Sequence, residues 1–231
     1  MTERNLRTGH IGTSRAVDGG HHGVVAEPLT DELLSGLNVA LSESNLHDAQ
    51  VRADRREAIV LFTVLSLPEV GPEPDDRRLI LRLSGVSRVA ASLRHGRWED
   101  AAAEVEQFAL SDLSDVVRSF SAQPIYGWEF LDPSPEGWER WEDRLSLDMT
   151  LSAEDGPHVL ELFQESAAGP PRHLDLRLWF SALAAYDFGW NAVPLTQVMT
   201  DGRRWWDRMY AGDPRTEGHG IVPSRSPKGS D

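Results

Sequence analysis

Three groups of residues have types and spacing that could do chemistry. The first is His47-Asp48, inside NLHDA at 45–49. An imidazole titrates near neutrality and a carboxylate can orient it, so the pair is a candidate for acid–base work or metal ligation. Neighbours on a strand point to opposite faces, so such a site needs a further partner. His158, His173, Asp132 and Asp148 are the candidates. The second group is aromatic and acidic: Tyr126, Trp128, Glu129, Asp132, Trp138, Trp141, Glu142 and Asp143. Rings beside carboxylates line pockets for cations or sugars, or pack a core with solubilising neighbours. Trp128, Asp132 and Trp138 are its binding candidates, and a hydrolase or small-molecule site near residues 126–143 is the alternative reading. A glycosidase would need two carboxylates set across a cleft.

The third group is DGRRWWDRMYAGDPR at 201–215. Arg, Trp and Tyr are the residue types enriched at interface hot spots. The candidates are Arg203, Arg204, Trp205, Trp206 and Tyr210. Two adjacent tryptophans on a helix cannot both face the centre of one core, so one belongs at its rim or in a contact. His21-His22 lies in a Gly-rich run and receives no role. The sequence has no GxGxxG before a helix, GxxxxGK[ST], HExxH, GxSxG or EF-hand loop. No catalytic residue, metal or cofactor is assigned.

The 231 residues include no cysteine, which removes disulfides, thiol nucleophiles and cysteine-held metals. Lys228 is the only lysine, so a lysine nucleophile or Schiff base in the body of the chain is excluded. The net charge of −14 speaks against non-specific nucleic-acid binding, which needs cations to displace counterions. Between 128 and 165, eleven acidic residues face only Arg140 and Arg144. That segment is a solvated surface or a face that steers a basic protein partner. No apolar run has the length of a membrane span, and the first residues lack a secretory h-region. The expectation is a cytoplasmic protein without membrane contact.

These residues must be carried by regular elements. LDLRLWF at 174–180 alternates apolar residues with Asp175 and Arg177, the period of a strand with one buried face. Asp175 and Arg177 read as cross-strand surface partners. Trp179 and Phe180 read as the place where the sheet meets Trp205 or Trp206. LILRL at 79–83 is a near copy, offset by 95 residues. Thr30 caps a helix with Leu33, Leu34, Leu37 and Leu41 on one face. Strands follow near 46–53 and over 58–67, the latter continuously apolar as if covered on both sides. The period of 98–109 reads as helix, with a second short helix from Ser111. Strands are expected at 125–131, 144–151 and 159–163. Pro194 opens a C-terminal helix, interrupted at Asp201-Gly202 and ended by Gly212 and Pro214.

The expected fold is α+β. A mainly antiparallel β core is built from two related β-meander halves, 46–93 and 144–188, with a helical insert at 98–121 and a C-terminal Trp-rich helix. One domain covers 29–216, between a disordered lead at 1–28 and a disordered tail at 217–231.

At 45–93, the hydrophobic-His-Asp start and the strand rhythm resemble the β-rich immunity proteins of bacterial polymorphic-toxin systems, in particular the immunity protein 50 type. Residues 125–215 resemble a domain of functionally uncharacterised high-GC bacterial proteins. The first resemblance implies a non-enzymatic protein that binds and blocks a toxin. The helical insert and the Trp-rich tail depart from that pattern.

Overall fold

The computed structural model describes residues 27–97, 99–100, 102–120, 127–131, 142–154, 156–166 and 169–221. Two antiparallel sheets form the core. The first consists of β1 (Asn45–Arg52), β2 (Glu57–Thr63), β3 (Arg78–Ser84), β10 (Ala182–Asp187) and β11 (Ala192–Val193), in the order β1-β2-β3-β10-β11. The second has the order β5-β4-β9-β8-β6. Its strands are β5 (Glu104–Glu106), β4 (Arg88–His95), β9 (Arg172–Phe180), β8 (His158–Ser166) and β6 (Gly127–Leu131). Strand β7 (Leu147–Thr150) shares the outer edge of β4 with β5. The helices are α1 (Asp31–Ala40), α2 (Leu113–Arg118) and α3 (Leu195–Tyr210).

The two near copies hold equivalent places. LILRL lies in β3 and LDLRL in β9, each third from an outer edge of its sheet. Each then passes through a tight corner into the opposite sheet, β3 into β4 and β9 into β10. The two bent strands lie antiparallel along their whole length, with Leu83 opposite Leu183 and Leu176 opposite Ala91. Corners of this kind are how strands switch between packed sheets. Gly85 makes one of them: its φ is +66°, and a Cβ there would lie 2.8 Å from Ser181 Oγ. The topological counterpart of β1 is β6, not the stretch at 144–151; β7 is an addition to the edge.

Alternation places the core. Leu174, Leu176, Leu178 and Phe180 of β9 are at most 1% exposed. They meet Ala58, Val60, Phe62, Leu81 and Leu83 of the first sheet in one hydrophobic cluster. Strand β2 is shorter than the apolar run predicts: it ends at Thr63, and Ile59 and Leu61 on its outer face are only half-buried. Helix α1 starts as its sequence predicts, with Leu33 N–H donating to Thr30 Oγ1. Helix α2 forms in the expected region with Leu113 and Val117 inward and Phe120 buried just past its end, but it starts at Leu113 after a 3-10 turn and Ser111 does not cap it.

Other expectations are overturned. The described part of 98–109 is not helical; it contains β5, where Glu104-Val105-Glu106 completes the edge of β4 beyond β7. An unpaired length of β4 backbone outweighed a weak helical period. Helix α3 runs unbroken through Asp201-Gly202. Gly202 is buried against α1, where a Cβ would lie 2.4 Å from Ala40 Cβ and 2.6 Å from Ala40 Cα. The glycine therefore sets the helix crossing and does not break the helix. The ends of the folded body also extend past the expected limits. Glu27 caps α3, accepting from Leu195 N at 2.7 Å. Beyond 216, His219 Nε2 lies 2.7 Å from Glu73 Oε2, and Ile221 packs on the cluster of Leu65, Leu67, Trp205 and Met209.

Candidate functional site

Helix α3 sorts its candidate residues by position. Trp205 is fully buried among Leu65, Leu67 and Met209, and stacks edge-on against His219 at 5.3 Å. It is a packing residue and does not meet the strand as expected. Trp179 is half-buried, with the Arg88 guanidinium 5.3 Å from its ring centre. Arg204 is likewise structural: it donates to Asp201 Oδ1 at 2.6 Å and to the Leu67 carbonyl at 2.8 Å, fixing the 64–78 loop to α3.

Arg203, Trp206 and Tyr210 lie on the other side of the helix. Together with Asp207, with Val39 of α1 and with Ser42 in the turn after it, they line a surface groove of about 410 Å³. The Trp206 and Tyr210 rings lie 6.2 Å apart at 33°. Tyr210 is 62% exposed and Val39 42%. The Trp206 Nε1–H has no acceptor, and Arg203 has no ion-pair partner among the described residues. By contrast Arg52, Arg77, Arg78, Arg82, Arg94, Arg118, Arg204 and Arg215 all sit in ion pairs. The groove thus combines exposed aromatic area with an uncommitted guanidinium, while the Trp206 Nε1–H is buried away from it. Close helix crossing builds it. A Cβ on Gly36 would overlap Met199 Sδ at 2.3 Å, and Gly202 lies on Ala40. Val39 and Ser42 were not sequence candidates; their place beside Trp206 is set by that crossing.

The aromatic–acid group divides differently. The backbone of Trp128 is in β6, opposite Leu162, while Asp132, Trp138 and most of the expected pocket at 126–143 lie outside the described residues. Of the acidic segment, Asp148 pairs with Arg88 and Glu161 with Arg177, so part of its charge is neutralised internally.

His47 and Asp48 sit at a β-bulge, where the register of β1 slips between Leu46 and Asp48. His47 Nε2 lies 2.7 Å from Thr63 Oγ1, and burial lowers its pKa, with a contribution from the Arg78 charge. Asp48 is buried and accepts from Arg118, Ser114 and Gln50 at 2.6–2.9 Å, holding α2 to the edge of the first sheet. No three His, Asp or Glu side chains converge as a metal-binding group among the described residues.

The largest electrostatic departure is on the outer face of the second sheet. Asp175 and Arg177 are 6% and 8% exposed, so they are not surface partners. Asp175 pairs with Arg94, and Arg177 with Glu161 at 2.5 Å. Burial pushes the Asp175 carboxyl up to about 6, against the pull of Arg94. His173, one step along the strand, is fully buried. Its Nδ1 is 3.2 Å from the Gly96 carbonyl, and burial and the Arg94 charge lower its pKa. Alternation showed that these side chains share a face; it could not show that the face is covered.

The sequence reading also passed over YDFGWN at 186–191. This turn joins β10 to β11 and exposes Phe188 at 42% and Trp190 at 53%. Asp187 braces it, accepting from Asn191 N at 2.9 Å and Asn191 Nδ2 at 2.8 Å. Trp190 has a φ of +63°, a conformation bulky residues rarely adopt. The aromatic-Asp-aromatic-Gly-aromatic spacing was the available signal. No helix among the described residues is long and apolar enough to cross a membrane. No protein-family model, curated protein or solved structure matches the chain.

Proposed function

We propose that the chain is a non-enzymatic, immunity-like interaction protein that binds a protein partner through the α1–α3 groove. The observation that carries this reading is the group Arg203, Trp206 and Tyr210 beside exposed Val39, with its guanidinium uncommitted. Exposed aromatic and apolar area is costly to keep in water and is what a partner's apolar side chains would cover, while the hydrated Arg203 guanidinium is free to take an acceptor. A net charge of −14 favours a partner that is basic overall, through long-range steering. At the contact itself, Arg203 takes a carboxylate or carbonyl from that partner. Trp205 and Arg204 contribute indirectly, by holding the helix.

The test is a pull-down of candidate toxin domains, chosen from the gene neighbourhood, with the wild type and a Trp206→Ala/Tyr210→Ala variant. The wild type retains a toxin domain and protects against it; the variant, equally folded, does neither. Turnover of a small molecule with no toxin domain retained defeats the reading.

A further inference from the structure

A second, more enclosed cavity of about 210 Å³ lies between the 64–78 loop, the start of β3, β11 and the first turns of α3. Its apolar wall is Val64, Leu65, Leu79, Val193 and Val198. Five charged residues also line it, and each is already engaged. Asp76 holds Arg78 through two bonds of 2.8 and 2.7 Å. Arg77 pairs with Glu73 at 3.3 Å, and Asp201 with Arg204 at 2.6 Å. Asp187 is bonded to Asn191. The nearby amides at the start of α3 are taken as well, by the Glu27 carboxylate. An anionic ligand would therefore meet no free cation, and a cationic one would meet only Asp187, whose two oxygens already accept from Asn191. The exposed Gln197 side chain, in contrast, has no hydrogen-bond partner among the described residues and stands at the lining.

The outer wall is fixed before any ligand arrives. Leu67 N–H donates to the Asp201 carbonyl at 3.1 Å, and Arg204 donates to the Leu67 carbonyl. Arg215 reaches the Gly71 carbonyl at 3.1 Å, and His219 reaches Glu73. Pre-formed apolar cavities with few convergent polar groups are the usual small-molecule sites. Drug-sized ligands occupy roughly 300–1,000 Å³, so this cavity takes something smaller.

We propose that this cavity binds an uncharged small molecule of single-ring or fused-bicyclic size. Its apolar body lies on Val64, Leu65, Leu79 and Val198, and its one polar group meets the Gln197 amide. The site is separate from the α1–α3 groove, so either proposal can fail without the other.

Saturation-transfer NMR on the full chain tests it with four probes: indole, toluene, indole-3-carboxylate and tryptamine. Indole and toluene receive saturation, and the two charged analogues bind at least about tenfold more weakly, as burial of an unpaired charge requires. Val193→Trp fills the cavity and abolishes both signals. Gln197→Ala, at an exposed helical position that folds readily, weakens indole by about fivefold, the worth of one hydrogen bond, and leaves toluene unchanged. No transfer to indole at millimolar concentration, equal binding of the charged analogues, or unchanged indole binding in both variants overturns the proposal.

Discussion

Gly202→Ala tests the helix crossing that builds the groove. In an exposed helix, this change stabilises by about 1 kcal/mol, because alanine loses less backbone entropy. At position 202 the new methyl would lie 2.4 Å from Ala40 Cβ, 2.6 Å from Ala40 Cα and 2.9 Å from the Ala40 carbonyl oxygen. Carbon atoms pack at about 3.5–4.0 Å, so α1 and α3 must part by about 1 Å. The obstructing atoms are mostly backbone, which cannot rotate away. Overpacking of this kind costs about 1–3 kcal/mol, and the upper end applies here. Subtracting the propensity gain leaves a net loss of about 2 kcal/mol. For a folded unit of this size that lowers Tm by roughly 4–8 °C. Urea unfolding followed by far-ultraviolet circular dichroism measures it. Adding Ala40→Gly to the same chain removes the clashing methyl and recovers part of the loss, a coupling that a double-mutant cycle isolates. A Gly202→Ala protein more stable than wild type would show that the helices do not cross there, and the groove geometry would fall with it.

Asp175 sets a pH dependence. Its folded pKa of about 6 lies above the ordinary 3.8, so the contribution is fully present below pH 3.8 and is lost as pH rises through 6. The shift corresponds to about 3 kcal/mol. Asp175→Asn should flatten the stability profile between pH 4 and 6 in urea titrations; a slope identical to wild type would refute the assignment. Trp205→Ala removes the centre of the Leu65, Leu67 and Met209 cluster and should cost about 3–5 kcal/mol in thermal or chemical unfolding. A loss under about 1 kcal/mol would mean that the C-terminal half of α3 is not docked as described.

What the sequence determined by itself was local. The alternation in 174–180 gave a strand with one core face, because side chains on a strand point alternately to its two sides. Thr30, Asp31 and Glu32 gave the start of α1, because a cap is built within four residues. LILRL and LDLRL each read as a strand, and both stretches hold the third place in their sheets. The argument that adjacent tryptophans must separate also holds: Trp205 is fully buried and Trp206 is in the groove. What tertiary structure alone decided was what lies opposite each element. Periodicity gave Asp175 and Arg177 a shared face, but burial depends on the chain that covers it. Gly202 looked like a break until Ala40 was found against it. Residues 104–106 became a strand because β4 offered an open edge. Val39, Gln197 and the 64–78 loop carry no sequence signal of function; α1, β11 and the capped start of α3 bring them into place, from parts of the chain up to about 170 residues apart.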